Sequence, residues 1–359
     1  MELIIELLFA GFTALIMAII LIPPLKKLAI ILDLVDRPNI RKVHDKPIPL
    51  VGGIAIVLAA TLTLLISTTF MSGVKEHLFL IGAGIILMVT GSIDDKMNIN
   101  PFFRLAIQVG CAYAVASSGI KITSLYGVFG IYELPVIWQY ILTIIIITGV
   151  VNAFNLMDGI DGLAGGLAIV GFSTLSILFY MLEKNELVVL FVAIIGAIIG
   201  FLRFNLSKNK VFLGDGGSLF LGFILVVSGI NLIETTNILG KVNHTTALIT
   251  VIGIFLLPVL DSLRVYRKRI KSGVSPFKAD KSHLHHLFLL LGISHKLTTL
   301  FIIASSILLL LFSVILINYF SLTLVLIFGA IFFLWFTSIL TINKNVKEWS
   351  SKIREMEGS

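Results

Sequence analysis

The sequence predicts an all-α, polytopic membrane protein folded as one domain, and three observations lead there. Of its 359 residues, 57% are hydrophobic and only 13% charged, where a soluble domain carries about 25% charge. Apolar runs recur along almost the whole chain, and about 20 such residues span the roughly 30 Å hydrocarbon core as a helix. The polar connectors are short, none longer than about 30 residues, so no soluble domain is left over.

Eleven spans are expected, at about 7–25, 50–69, 78–93, 103–119, 136–153, 163–182, 187–202, 214–233, 246–263, 297–317 and 320–341. The first follows Met1-Glu2 with neither a basic n-region nor a small-residue cleavage site, so it reads as a retained helix and not a signal peptide. The second opens at Gly52-Gly53 after a rigid Pro47-Ile48-Pro49, and the third ends at Gly91-Ser92-Ile93. The fourth holds Cys111, the single cysteine, which excludes an intramolecular disulfide and makes redox chemistry a poor expectation. Spans 78–93 and 187–202 are short enough to be tilted or packed inside the bundle.

An odd number of spans puts the termini on opposite sides, and the basic residues choose between the two orientations. With the N-terminus outside, the cytosolic segments 26–49, 94–102, 154–162, 203–213 and 264–296 and the tail 342–359, together with Arg104 at the cytosolic start of the fourth span, hold 23 of the 27 Lys and Arg residues. Lys75, Lys121, Lys184 and Lys241 stay outside. That excess is the known orienting signal. It also accounts for the net charge of +7 without nucleic acid as a partner. In this frame Asp94, Asp95, Asp158, Asp161, Asp215, Asp261 and Asp280 all fall on the cytosolic side, with the glycine-rich polar clusters.

Each cluster has a plain reading beside a chemical one. Asp94-Asp95 is a solvated helix end, or a pair of carboxylates at the hydrocarbon boundary that needs hydration, a partner or a cation. Asn152, Asn155, Asp158 and Asp161 recur every third residue as the fifth span leaves the membrane; on a helix such neighbours adjoin, the row drifting about 60° per step. An ordinary turn rich in Asn, Asp and Gly explains four amides and carboxylates in register less well. Asp215, in Phe212-Leu-Gly-Asp-Gly-Gly-Ser218, opens the eighth span either as an N-cap or as part of a phosphate and metal site. The basic loop from Asp261 ends in His283-Leu-His285-His286; zinc prefers tetrahedral sets, whereas imidazoles among so much Lys and Arg suit a pyrophosphate. Lys46, beside the Pro-x-Pro segment, is a candidate ligand, while Arg41 and Lys42 serve as membrane anchors. Acids able to hold Mg²⁺, basic groups and approachable glycine backbone describe a site for a phosphorylated substrate. Its place at the lipid boundary suggests a substrate with a lipid half.

These residues resemble the polyprenyl-phosphate N-acetylhexosamine-1-phosphate transferases (glycosyltransferase family 4). The resemblance covers nearly the whole chain, through Lys46-Pro-x-Pro-x-x-Gly52-Gly53, Asp94-Asp95, Asn152 to Gly162, Asn205, Phe212-x-Gly-Asp215-x-Gly-Ser218 and His283-x-His285-His286. Ser275-Pro-Phe…Ala279-Asp280-Lys-Ser-His283 looks like the N-acetylglucosamine branch; the phospho-MurNAc-pentapeptide branch runs four histidines together here. Leu287 departs from the Arg expected after the last histidine. The resemblance implies transfer of GlcNAc 1-phosphate from UDP-GlcNAc to undecaprenyl phosphate with release of UMP, at the cytosolic face of a bacterial inner membrane. That is the first lipid-linked step of an envelope polysaccharide such as teichoic acid or O-antigen. It implies a requirement for Mg²⁺, with Mn²⁺ as an alternative, and is compatible with a homodimer. By motif position, Asp215 would coordinate the metal, while Asp161, Asn205 and Phe212 would hold the uridine, with Asn152 and Asn155 also on the substrate. Lys46, His283, His285 and His286 would contact phosphates, the last two with Asp158 in the catalytic set. Asp94 and Asp95 would lie near the acceptor phosphate, as base or as positioning groups.

Two other classes compete. A transporter predicts charges at mid-membrane and repeated halves; the apolar runs are essentially uncharged at their centres and show no repeat. An assembly scaffold leaves the acidic clusters without a task.

Overall fold

A computed structural model describes residues 1–37, 46–273 and 282–357. The described residues are mostly helical; extended pairing among them is limited to an antiparallel pairing of Val35–Asp36 (β1) with Ile48–Pro49 (β2) and an isolated bridge between Ser124 and Glu133. In order the helices are α1 Glu2–Ile31, α2 Gly52–Leu64, α3 Thr68–Gly73, α4 Leu78–Met97, α5 Pro101–Ser117, α6 Val136–Asn155 and α7 Leu163–Met181. They continue as α8 Asn185–Asn205, α9 Gly214–Leu239, α10 His244–Lys271, α11 Leu284–Leu290, α12 His295–Leu316 and α13 Leu322–Glu357. Among the described residues nine stretches are long and apolar enough to cross a membrane, which makes the chain a multi-pass membrane protein. The expected spans at 50–69 and 103–119 correspond to shorter helices, α2 of 13 residues and α5 of 17.

Helix α9 is the axis. Of its most apolar stretch, 94% is buried, against 17% for α1, so α1 shows most of its surface to lipid while α9 is enclosed by protein. Around α9 stand α2, α4, α6, α7 and α10; α8 carries α1, α2 and α7, and α12 packs on α10.

Close approach at the head of α9 depends on glycine. A Cβ at Gly53 of α2 would lie 2.2 Å from Gly217 Cα, and one at Gly91 of α4 would lie 2.4 Å from Gly216 N. Such contacts let helix backbones touch where the hydrophobic effect gives no drive between helices. Main-chain bonds extend the seam: Gly52 N donates to Phe212 O, Gly53 N to Leu213 O and Phe212 N to Pro49 O, each at 2.9 Å. The lead into α2 and the lead into α9 are thereby stitched together.

Several helices outrun their apolar stretch. α1 continues to Ile31 through Pro23-Pro24, α10 to Lys271 and α13 to Glu357. At 36 residues α13 is about 54 Å long, more than a bilayer core needs, so most of the expected tail 342–359 is helix. α6 differs in the other sense. It ends at Asn155, and Asp158 and Asp161 lie in the turn before α7, where Gly162 takes φ +78°. The three-residue spacing therefore continues through a turn, not along one helix face.

Candidate active site

Four carboxylates gather where α4, α9 and the α6–α7 turn meet. Asp94 and Asp95 lie in the last turn of α4, and Asp215 in the first turn of α9. Asp215 is not an N-cap: Leu213 holds that position, without a side-chain bond. Its carboxylate accepts instead from Asn155 Nδ2 at 2.9 Å and Arg104 Nη1 at 3.1 Å. Asn155 Nδ2 also donates to Ser218 Oγ at 2.8 Å. Asp94 accepts from the same Arg104 nitrogen at 2.6 Å and from Ile99 N at 2.9 Å. Asp95 Oδ1 accepts from Asp215 N at 3.1 Å.

The other oxygen, Asp95 Oδ2, is buried without a hydrogen-bond partner among the described residues. A Cβ at Gly214 would lie 2.6 Å from it; glycine, at φ +77°, leaves it that room. Asp158 leaves part of its surface accessible, but its carboxyl group is deep among protein atoms. That burial first, then the carboxylates of Asp215, Asp95 and Asp161, pushes Asp158 well above the usual carboxylate range.

Four carboxylates face one guanidinium here, and such an imbalance with an orphaned buried oxygen suits a bound cation. Among the described residues no three carboxylate oxygens of this cluster come within 4.8 Å of one another, so it is no all-protein cage. Mg²⁺ does not require one, because it is usually held by one or two carboxylates with water and substrate phosphate. Asp215 and Asp95 fit that role.

A second group lies on the α10–α11 side. Asp261 is 0% exposed yet fully engaged. It accepts from Arg264 Nη2 at 2.8 Å, pairs with His283 Nδ1 at 2.9 Å and receives Leu284 N at 3.1 Å. Arg264 also donates to Ser282 O at 2.5 Å. Asp261 thus anchors the start of α11 and fixes the His283 ring. His283 Nε2 and His285 Nδ1 are buried without partners among the described residues. The rings of His285 and His286 lie 4.2 Å apart. His285 packs on Gly159, where a Cβ would lie 2.4 Å from Nε2, which brings the histidine segment against the Asp158 turn. Burial, then His286 and His283, pushes the His285 imidazole down to about 3.

The remaining expected residues occupy several places. Asn205 braces the α6–α7 turn, accepting from Gly162 N at 2.7 Å and donating to Val211 O at 3.0 Å. Asp161 pairs closely with Lys210, and its carbonyl accepts from Thr299 Oγ1 at 2.9 Å. Phe212 is half-buried on the segment stitched to β2, and Lys46 is exposed just ahead of β2. Asn152 exchanges amide bonds with buried Gln108 of α5, the shorter at 2.6 Å, and donates to Thr148 O at 2.8 Å. Arg41, Lys42, Asp280 and Ser275-Pro276-Phe277 lie outside the described residues. Two residues escaped the sequence reading as site members. Arg104 counted there only as a topology charge, and Asp261 only as the start of a loop. An Arg just inside a helix start, shortly after two acids, was the available signal for the first; the second had none.

Anionic groups at the lipid boundary and imidazoles beside them define a membrane-embedded enzyme acting on phosphorylated substrates. The chain belongs to glycosyl transferase family 4, whose family model matches residues 77–233, a stretch that contains all four clustered carboxylates. It is 34% identical over 304 residues to a probable undecaprenyl-phosphate N-acetylglucosaminyl 1-phosphate transferase of Bacillus subtilis (strain 168), covering 84% of this chain and 82% of that protein. It is 35% identical to the undecaprenyl-phosphate alpha-N-acetylglucosaminyl 1-phosphate transferase of Yersinia pestis, covering 81% and 79%. The enzyme of the same name from Escherichia coli (strain K12) is 33% identical, covering 76% and 73%.

Proposed function

We propose that this chain transfers N-acetylglucosamine 1-phosphate from UDP-GlcNAc to undecaprenyl phosphate, releasing UMP and forming undecaprenyl-diphospho-GlcNAc. The observation that carries this reading is the cluster of Asp94, Asp95, Asp158 and Asp215 around Arg104 at the ends of apolar helices, in a chain whose relatives are named for that reaction. An oxygen of the acceptor phosphate bonds to the β-phosphorus of the donor. The bond from that phosphorus to the bridging oxygen breaks, and its electron pair leaves with UMP.

Asp215 and Asp95 would hold Mg²⁺, which when bound would supply charge neutralisation to the pyrophosphate. The acceptor is a phosphate monoester with a second pKa near 6, so at neutral pH it needs little help in losing a proton. Asp94 and Asp95 therefore act mainly by positioning, as in phosphoryl transfer generally. Asp158 is the carboxyl best suited to carry a proton, since its surroundings already favour the neutral form. Neutral His285, with His283 held by Asp261, offers N–H donors to phosphate oxygens. Phe212 offers a face for the uracil, and Lys46 a charge for phosphate.

The charge distribution supports a cytosolic site in a bacterial inner membrane with the N-terminus outside. A phospho-MurNAc-pentapeptide transferase is the second reading, disfavoured by Ser275-Pro276-Phe277 ahead of only three histidines. Parallel UMP-release assays with the two UDP-sugar donors and undecaprenyl phosphate in detergent decide it. Activity is expected with UDP-GlcNAc and little with the pentapeptide donor; comparable rates would overturn the assignment.

A further inference from the structure

We propose that Glu76, His77 and Glu186 form a binding site for one divalent transition-metal ion at the far end of the bundle from the acidic cluster. One ligand atom from each lies within 4.8 Å of the others. His77 closes the short 3₁₀ turn Val74–His77 that leads into α4, and Glu186 sits in the first turn of α8. Glu186 is held by packing on its stem, since a Cβ at Gly73 would lie 3.1 Å from its Cγ.

The imidazole points to a ligand. His77 is 5% exposed, and its Nε2 is buried without a hydrogen-bond partner among the described residues. That nitrogen faces Glu186 Oε1 at 3.8 Å, beyond hydrogen-bond reach. A buried ring nitrogen that stands 3.8 Å from a carboxylate, without a hydrogen bond among the described residues, leaves room for an ion to be shared between the two. One imidazole and two carboxylates are borderline donors that suit Zn²⁺ and its neighbours better than Mg²⁺ or Ca²⁺. Zinc bound at about 2.0–2.2 Å would draw the three atoms to about 3–4 Å of one another, a small contraction from where they stand. Water completes the shell on the exposed Glu76 side. Lys75 and Lys184 are the neighbouring cations in the chain and do not enter the ligand set.

The site is independent of the transfer reaction. Between His77 and Asp95 lie 18 residues' rise of α4, about 27 Å. Bound metal would instead clasp the 3₁₀ turn to α8, on the side that carries few basic residues.

The test uses full-length, tag-free protein in nanodiscs, stripped with EDTA and titrated with ZnCl₂, reading bound zinc and Tm. Because His283, His285 and His286 form another imidazole group, the reading is the difference between the wild type and His77→Gln. The expected result is that His77→Gln and Glu186→Gln lose about one zinc per chain and a zinc-dependent rise in Tm of about 2 °C or more. Zinc-free UMP release at fixed Mg²⁺ should not change. Should His77→Gln fail to fold, Glu76→Gln, whose side chain is exposed, supplies the same comparison. Equal zinc uptake and Tm shift in wild type and variants would overturn the proposal. So would a wild type that gains nothing from zinc while His77→Gln is less stable, which would assign a plain His77–Glu186 ion pair.

Discussion

The two acid-bearing regions of the bundle, around Asp261 and around Asp215, handle buried charge in opposite ways. Around Asp261 one fully buried carboxylate meets a guanidinium, an imidazole and a main-chain N–H, so its lone pairs are used and its neighbours are held still. Around Asp215 four carboxylates cluster with one guanidinium, which bonds Asp94 and Asp215 alone among them, and Asp95 Oδ2 has no hydrogen-bond partner among the described residues. The first region is complete by itself and serves to orient other groups. The second is electrostatically unfinished, which is the condition for receiving a cation and a phosphate. A site of this kind separates the stiff parts from the receptive ones.

Substitutions that exchange those characters should break the contrast. The largest effect is expected from Asp215→Asn, which should lower turnover by about 10³-fold or more, as loss of a metal-held charge at a phosphoryl centre does. It should also weaken Mg²⁺-dependent binding of UDP-GlcNAc while leaving Tm nearly unchanged. Near-normal turnover at ordinary Mg²⁺ would reduce Asp215 to an anchor for Asn155 and Arg104. At Asp261 the order reverses: Asp261→Ala should cost about 3–5 kcal/mol of stability, because it strands Arg264. Asp261→Asn should keep the fold and lower kcat about tenfold to a hundredfold with little change in KM for UDP-GlcNAc. An unchanged kcat would confine Asp261 to folding.

Arg104→Gln sharpens the comparison, since it deepens the imbalance on purpose. Half-saturation by Mg²⁺ should fall by about tenfold or less as the carboxylates lose their internal counter-charge, read from the Mg²⁺ dependence of UMP release. A rise would mean that the guanidinium organises the metal site and does more than neutralise it.

The smallest effect is a pH slope. The folded-state pKa of His285, about 3, is below its unfolded value near 6.5, so its contribution is fully present above 6.5 and declines as pH falls below that. Between pH 7.5 and 5.5 this amounts to about 1 kcal/mol, and His285→Gln should flatten that part of the Tm profile. An identical slope in the variant would place the sensitivity elsewhere.

Much of this architecture is legible in one dimension. Apolar runs of bilayer length announce the spans, and clustered Asp, Asn and Gly mark the site because few other pressures put carboxylates at a hydrocarbon boundary. Pairings across sequence are not legible in the same way. Nothing local says that Arg104 reaches Asp215, 111 residues away, or that Asp261 reaches His283. The role of Asn152 misleads for a related reason. Its spacing continues the Asn155–Asp158 series, but at that height on α6 the facing residue is Gln108 of α5, and an amide pair inside a helix interface keeps the same rhythm as a ligand row. Helix ends are obscured too, because α10 and α13 continue into charged sequence after the apolar signal has stopped.

The contacts at Gly53 and Gly91 bear on how accurately the chemistry is aligned. At Gly53 of α2 and Gly91 of α4, the nearest atoms across the seam to α9 are main chain, with no side-chain rotamer there to adjust. The spacing of Asp95 from Asp215 is therefore gauged by atoms that do not change shape, like two parts machined to the same face. A single methyl group added at Gly91 acts as a shim, moving one carboxylate relative to the other while leaving both chemically intact. Tolerance at this seam is below the width of a carbon atom, so an alanine there would detune the enzyme without altering any group that does chemistry.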